Sequence, residues 1–590
     1  MIVILFFDFE VFKYDWLVVA IDPVQKKEYV IVNNKNELEK LYRNYNKDIW
    51  VGYNCRNYDQ YILKGIMLGF DPKRINDWII VKGRKGWEFT TMFNKISLNL
   101  YDTMPNIPVS LKVLEGFMGD NIHETSVPFD LNRKLTQREI EETIGYCRDD
   151  VYNTIKVFLK RKTEFDSQMS LVQTFNLPLS HLGKTQAQLA AIILGAKKKT
   201  LKDEWNIRLP HTARLGRYKA VGDWFLDKRN HCYDCKLDTE ICGLTHTIAW
   251  GGIHAGKKQY NYKCKPHEVI LDIDVDQLYP TLMIQYHLLS RAVEEPQRFK
   301  NILDTSLRLK REGKKKEREP YKRICNITYG AEGDMFNPMY DPLHRNLVCV
   351  FGQVLIIDLL DKIEDLIELL QSNTDGIFIK INRSDVPELK RRVEEWEQRT
   401  GLKMSYDEFN AMYAKDVNNY VAVRKDGTYH SKGAYVKELN DLDYDLPIVN
   451  EAVKNYILYG WRVEDTVLGC TELRKFQKIV KLSSKYRWVE HEQGTKEIWI
   501  QMKRRGKWIT VPQRTIRYDN KAYRVFASTD PNDGKLLKCD GVRNPAKFGL
   551  TPDKCFIFND DLNGVSVPTK LDKHWYIELA KQRLSDFGVV

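Results

Sequence analysis

Twice in this chain an otherwise apolar, strand-like run carries carboxylates at alternating positions: "FFDFEVF" at 6–12 and "HEVILDIDVDQLYP" at 267–280. Successive side chains of a strand point to opposite faces, so Asp8 and Glu10 share one face while Phe7 and Phe9 line the other. Like charges buried side by side are costly unless a cation lies between them. Each run therefore constrains the fold to deliver a counter-charge, and further acids, to one face of a strand.

For the first run, "YNCRNYD" offers Asp59 where a strand passes into a helix. "GYCRDDVYNT" sets Tyr146 and Asp150 four apart on one helical face, with Asp149 turned away. Four carboxylates and a tyrosine form the inventory of a two-metal phosphodiester hydrolase, in which Tyr146 could orient the water. A solvated surface acid is the ordinary reading of any one of them; the ordered set is harder to explain that way.

For the second run, "QSNTDGIFIK" places Asp375 in a "TDG" that reads either as a plain hairpin turn or as one arm of a metal clamp. Asp274, at a strand end, is its strongest partner. Asp272 and Asp276 share a face with Asp274 if the strand stays regular, so composition alone does not choose between them. Between the two arms, "YKRICNITYG" spaces Lys322, Asn326 and Tyr329 along one helical stripe ending at Gly330.

The chain has 590 residues, enough for roughly three or four domains, and a formal charge of +12 that suits a polyanionic partner. Its odd number of scattered cysteines favours a reducing compartment over a disulfide framework. "MIVILFFDFEVF" reads as a buried strand, not a signal peptide, and no run is long enough to span a bilayer. A cytoplasmic protein is expected, in the host cell cytoplasm if viral. Residues 1–165 alternate strand and helix patterns, including a long helix from Thr136 to Phe165. Leu179–Lys197 is expected to be helical, and "WGGIHAG" is expected to be a loop because of its glycines. "FGQVLIIDLLDKIEDLIELL" reads as one helix; after about residue 436 helices return, followed by strands.

These motifs resemble those of family B DNA polymerases, closest to compact phage replicases. The exonuclease signatures match at Asp8 and Glu10, at Asn54 with Tyr58 and Asp59, and at Tyr146 with Asp150; a single-strand-gripping "SL" matches at Ser110 and Leu111. The assisting lysine of phage relatives has no counterpart in "IHETSVPFD", where only Glu124 stands. "DxxSLYP" aligns its acid with Asp274, and "YxDTDS" aligns its second acid with Asp375. Gln277, Gln371, Asn373 and Gly376 depart from those motifs. "KxxxNSxYG" matches at Lys322, Asn326 and Tyr329, with Ile327 in the serine position. The "YxGG" junction falls at Gly251 and Gly252, with Ala249 as its tyrosine; a duplex-gripping "KxY" and a later lysine fall at Tyr420 and Lys432, with Asn418 replacing the first lysine.

The resemblance implies an α/β and α+β multidomain chain, with an RNase H-like exonuclease followed by a right-hand polymerase. The expected domains are the exonuclease at 1–165, a connecting segment at 166–250, the palm at 251–284 and 331–435, the fingers at 285–330, and the thumb with the C-terminal region at 436–590. Two Mg²⁺ ions are expected at each site, Mn²⁺ being able to substitute: Asp274, the Val275 carbonyl and Asp375 for synthesis, and Asp8, Glu10, Asp59 and Asp150 for proofreading. Lys322 would hold the nucleotide's phosphates with Lys310 or Arg318, Asn326 would take part in nucleotide binding, Tyr329 would help form the base-pair pocket, and Tyr279 would exclude a 2′-hydroxyl. The implied partners are primer-template DNA and deoxynucleoside triphosphates, with helicase, primase or single-strand-binding protein as further candidates. A monomer without membrane contact and without protein priming is expected. The alternatives are a stand-alone 3′–5′ exonuclease with a degenerate polymerase half, and a non-catalytic DNA-binding protein. Cys232, Cys235, Cys264 and His267 have zinc-like spacing, set against ordinary free cysteines; zinc is not expected.

Overall fold

The computed structural model describes residues 2–502 and 505–589 and is mixed α/β with several sheets. By internal contacts the chain divides into two compact units. One comprises Met1–Gly183, Glu438–Ala452 and Arg462–Leu579; the other comprises Lys184–Lys437, Val453–Trp461 and Ala580–Val590. Residues expected in a separate C-terminal region thus pack with the N-terminal ones. No helix among the described residues is long and apolar enough to cross a membrane.

The first unit opens with β1 (Ile4–Val11), β2 (Trp16–Asp22), β3 (Lys27–Val32), β4 (Ile49–Gly52) and β5 (Asn99–Asp102), in sheet order β3-β2-β1-β4-β5. β1 runs antiparallel to β2 and parallel to β4. The alternation in β1 sorts its side chains: Leu5, Phe7 and Phe9 enter one apolar core with Trp50, and Phe6 enters the other with Cys147 and Val151. The helix Gln137–Lys160 covers that second face; it starts at a reciprocal cap between Thr136 and Glu139, which satisfies exposed N–H groups of its first turn. The expected single helix breaks at Arg161, and a second one runs Lys162–Thr174. Leu179–Lys197 is likewise shorter than expected, with a regular helix only over Gln186–Ile193, which Thr185 caps.

The second unit holds β6 (Lys236–Ile241), β7 (Leu244–Ala249), β8 (Gly252–Gly256), β9 (Tyr260–Lys263), β10 (Glu268–Val275), β11 (Glu368–Ser372), β12 (Gly376–Asn382), β13 (Met404–Phe409), β14 (Ala411–Asp416), β15 (Asn419–Val423) and β16 (Tyr429–Lys432). Seven of them form a sheet in the order β13-β10-β12-β11-β8-β7-β6. β8 corrects the loop expected at "WGGIHAG": its glycines are strand residues because their neighbours leave no room for a side chain. At Gly252, φ is +150°, and an added Cβ would lie 2.4 Å from Thr374 Oγ1. The helix Pro342–Ile363 is apolar on nearly every side and buried along most of its length. It stops before "LIELL", whose last residues belong to strand β11, so the sequence pattern overran the helix end.

The chain then returns to the first unit with β17 (Lys478–Lys481), β18 (Trp488–Met502), β19 (Arg505–Tyr518), β20 (Ala522–Ala527), β21 (Asp533–Cys539), β22 (Ala546–Lys547) and β23 (Cys555–Ile557). Ile479 of β17 and Ala522 of β20 form a core with Val113 of the helix Leu111–Met118. That helix carries the "SL" element and packs against the acid-bearing helix Gln137–Lys160.

Candidate active sites: two carboxylate clusters

In the first unit, β1 presents Asp8 and Glu10, the helix Asp59–Leu68 begins with Asp59, and Gln137–Lys160 contributes Tyr146 and Asp150. The backbone N–H of Phe9 donates to Asp59 Oδ1 at 3.2 Å, fixing that acid beside β1. Burial, then Asp59, Glu10 and Asp150, push Asp8 well above the carboxylate range. Glu10 is pushed up by burial, Asp150 and Asp59. Asp59 rises through burial to about 7. Asp59 and Asp150 each raise both Asp8 and Glu10, so the structure brings the four acids together. Tyr146 hydrogen-bonds to Asp150. Asp149 is exposed, on another face of the helix.

A cation does reach this cluster, from the helix Leu111–Met118. Lys112 Nζ donates to Asp150 Oδ1 at 2.5 Å and to Glu115 Oε1 at 3.1 Å, and it lies 4.6 Å from the Tyr146 ring centroid. Glu115 is fully buried and also accepts from Asn153 Nδ2 at 2.9 Å. Burial pulls the Lys112 ammonium's pKa down, but Asp150 and Glu115 more than offset it, so the lysine stays charged. Lys112, one residue after the "SL" pair, lies outside the stretch "IHETSVPFD", which holds no lysine. Glu124 is no substitute for it, since its Oε1 accepts from the Lys521 N–H. The only sequence signal was the i, i+3 spacing of Lys112 and Glu115.

Asn54, Tyr58, Ser110 and Leu111 lie at or just before the starts of the helices Asp59–Leu68 and Leu111–Met118. Asn54 is left-handed (φ +58°), and its N–H donates to Asp102 Oδ1 at 2.9 Å. Asp102, which the sequence reading passed over, also accepts from the N–H groups of Arg56 and Met104 and so fixes the Asn54 loop. Tyr58 donates to Asn76 Oδ1 at 2.8 Å. Ser110 precedes the helix that Leu111 begins.

The donor set fits hard divalent cations. Ligand atoms of Asp8, Glu10 and Cys147 lie within 4.8 Å of one another. Burial and then the acids push the Cys147 thiol well up, so it keeps its proton, which it donates to the Asp8 main-chain oxygen at 3.4 Å. That leaves the carboxylates as the groups suited to hold a cation.

In the second unit, β10 and β12 pair so that Asp274 sits opposite Gly376, and the Val275 N–H donates to the Asp375 carbonyl at 2.9 Å. Asp274 and Asp375 are therefore neighbours across a strand end, and both are exposed. Burial, Asp375 and Asp407 push Asp274 up to about 6; Lys432 opposes them. Asp272 rises to about 8 through burial, Asp274 and Asp407. Asp407 lies on β13 opposite Asp272 and was not singled out from the sequence. Asp276 leaves the strand face and pairs with Lys310. Gly376, a departure from the motif, has a steric reason: a Cβ there would lie 1.7 Å from Asp274 Oδ1. Gln277 adopts a left-handed conformation (φ +51°), and both polar atoms of its buried amide lack partners.

Tyr279, on the helix Leu278–Gln285, packs on Tyr329 of the helix Lys315–Glu332 with ring centroids 4.1 Å apart. Lys322 and Asn326 are exposed on that second helix, which continues past the expected end at Gly330 to Glu332. Arg318 Nε donates to Ser306 Oγ at 3.4 Å. Gly251 is exposed just before β8. Tyr420 departs from its expected role as a duplex grip: it is 3% exposed in the core beneath the acids and packs edge-on against Phe378. Its ring offers DNA no free face. Its β16 partner Lys432 is exposed.

Cys232 and Cys235 approach at 2.7 Å between sulfurs, whereas Cys264 borders the core around Tyr420. Among the described residues the four zinc-spaced side chains do not converge into one ligand set.

No family model and no curated protein matches this chain. Among solved structures it is similar to the family B DNA polymerase from the hyperthermophilic archaeon Pyrobaculum calidifontis, with 14% identity over 100% of this chain and 77% of that one, and a TM-score of 0.40.

Proposed function

We propose that this chain is a template-directed DNA polymerase that extends a nucleic-acid primer and proofreads with a 3′–5′ exonuclease, in phage DNA replication. The observation that carries the reading is the pairing of β10 with β12, which seats Asp274 against a glycine and beside Asp375. Two carboxylates at one strand end can hold the cations of a phosphoryl-transfer site. When bound, two Mg²⁺ ions supply Lewis acidity toward the primer 3′-hydroxyl and the triphosphate. Asp274, Asp375 and the Val275 carbonyl would hold them. Lys322, with Arg318, receives the triphosphate; Lys310, paired with Asp276, is released to it only if that pair opens. The Tyr279 ring, backed by Tyr329, excludes a 2′-hydroxyl, and Asn326 borders the same pocket.

In the other unit, Asp8, Glu10, Asp59 and Asp150 would hold the exonuclease cations, which supply an activated water and steady the leaving oxygen. Tyr146 orients the water, and Lys112 offsets charge that builds on the scissile phosphate. The short intervals from Asp274 to Lys322 and from Lys322 to Asp375 leave little room for insertions, which supports ordinary rather than protein priming. The test is extension of a labelled primer with Mg²⁺ by the parent, Asp274→Asn and Asp375→Asn proteins. Synthesis by the parent alone supports the assignment, and synthesis by either variant refutes it.

A further inference from the structure

The helices Leu111–Met118 and Gln137–Lys160 meet through two pairs of residues, each pair three apart on one helical face: Lys112 with Glu115, and Asp150 with Asn153. Lys112 Nζ joins Asp150 Oδ1 to Glu115 Oε1, and Asn153 Nδ2 donates to the same Glu115 oxygen. The bonds therefore run in series, from Asp150 through Lys112 and Glu115 to Asn153. Asp150 is one of the four acids assigned above to the exonuclease cations, and Glu115 is not.

Glu115 is a costly residue to place there. It is fully buried, whereas the side chains of Lys112 and Asp150 keep 13% and 12% of their surface in water, and its Oε2 has no partner among the described residues. A carboxylate held so is destabilising unless a nearby charge requires it.

Charge supplies that requirement. When the cluster is loaded, its four carboxylates are matched by two divalent cations, and Asp150 has no charge left over for Lys112. The ammonium then needs a counter-charge of its own. Among the described residues, Glu115 is the one other carboxylate paired with it. Burial raises the Glu115 carboxyl to about 7, Lys112 opposes this, and the charge of Asp150 adds to the rise, so a cation on Asp150 favours the ionised Glu115. Without Glu115, Lys112 would have Asp150 alone and would compete with a cation for it. Resting on the exonuclease reading above, we propose that Glu115 is a positioning residue: held by Asn153, it keeps Lys112 beside the cluster as a charge for the scissile phosphate and stops it from displacing a cation at Asp150.

The test is Mn²⁺ binding by the full-length protein without DNA, followed as loss of the free-ion electron paramagnetic resonance signal. Every protein carries Asp274→Asn and Asp375→Asn to remove the pair of acids in the other unit, and Asp8→Ala in that background marks the binding that belongs to the first unit. Glu115→Gln keeps the side chain's shape and removes its charge. It is expected to weaken that binding about tenfold or more, and adding Lys112→Met is expected to restore it. The Mg²⁺ concentration for half-maximal degradation of a single strand should rise in parallel in Glu115→Gln. An unchanged Mn²⁺ affinity in Glu115→Gln, or a weakening that Lys112→Met does not relieve, overturns the proposal. So does a Glu115→Gln protein that fails to fold, because a counter-charge required by the loaded site leaves the cation-free fold intact. If Asp8→Ala abolishes the binding and Glu115→Gln leaves it unchanged, only the positioning role falls. If no Mn²⁺ binding is lost in Asp8→Ala and the parent degrades no single strand, the exonuclease reading falls, and this proposal with it.

Discussion

The residues that matter most here are small or buried, and their effects differ in kind. Gly376 leaves room for a carboxylate, so Gly376→Ala is expected to displace Asp274 and cut primer extension about 100-fold or more while 3′–5′ degradation persists; steady-state extension and degradation rates on one substrate check this. Lys112 supplies charge, so Lys112→Met should slow degradation about 10²–10³-fold with extension unchanged, as single-turnover hydrolysis would show. Glu332 supplies neither. It is fully buried, one oxygen accepts from the Ser290 N–H at 2.7 Å, and the other has no partner. Burial pushes its carboxyl well up, so the folded chain holds a proton that an unfolded chain releases near about pH 4.3. The stability Glu332 contributes is thus fully present below that pH and is lost as pH rises toward the folded value. Glu332→Gln should melt higher than the parent at pH 7, and the difference should vanish near pH 4. Asp8, Glu10, Asp150 and Asp274 could be picked out because strand alternation and helical spacing are local, whereas Asp407 joins Asp272 only through strand pairing. Lys112 could not be, because which lysine meets Asp150 depends on how two helices pack, and a chain of some forty residues between them carries no sign of it.

At the scale of elements, the helix Leu111–Met118 depends on a distant part of the chain. Its last carbonyls have no helical partners. Buried Arg524 of β20 donates to the carbonyls of Gly116 and Asp120, as well as those of Phe558 and Asp560, and Arg474 and Gln477 both donate to Phe117. Arg524→Met would strand these acceptors away from water, and a loss of about 3 kcal/mol or more is expected, read as a lower melting temperature of the first unit. Arg524→Lys should not restore it, since an ammonium lacks the guanidinium's planar fork. The same dependence explains what the sequence did and did not disclose. β10 and the Asp375 hairpin were readable from their own residues. β8 was not, because glycine content argues for a loop until Thr374 is seen to require Gly252. The start of β11 continued a helical pattern that only its pairing with β12 and β8 overrode.

For the whole molecule, the two carboxylate clusters fall in different compact units, one built around β1 and the other around β10. The two sets of acids that the sequence distinguishes are the ones that lie in these different units. It also set residues 436–590 apart as a thumb and C-terminal region, whereas most of them pack with residues 1–183. Contacts such as Ile479 and Ala522 against Val113 join residues hundreds of positions apart, and no local pattern announces them. The central claim is that one chain holds two separable phosphoryl-transfer sites. It is tested most directly by following a single 5′-labelled primer-template in Mg²⁺, with and without deoxynucleoside triphosphates, for Asp8→Ala and Asp375→Asn. The account predicts that Asp8→Ala lengthens the primer and never shortens it, and that Asp375→Asn shortens it and never lengthens it. Variants that both retain, or both lose, the two activities together would contradict it.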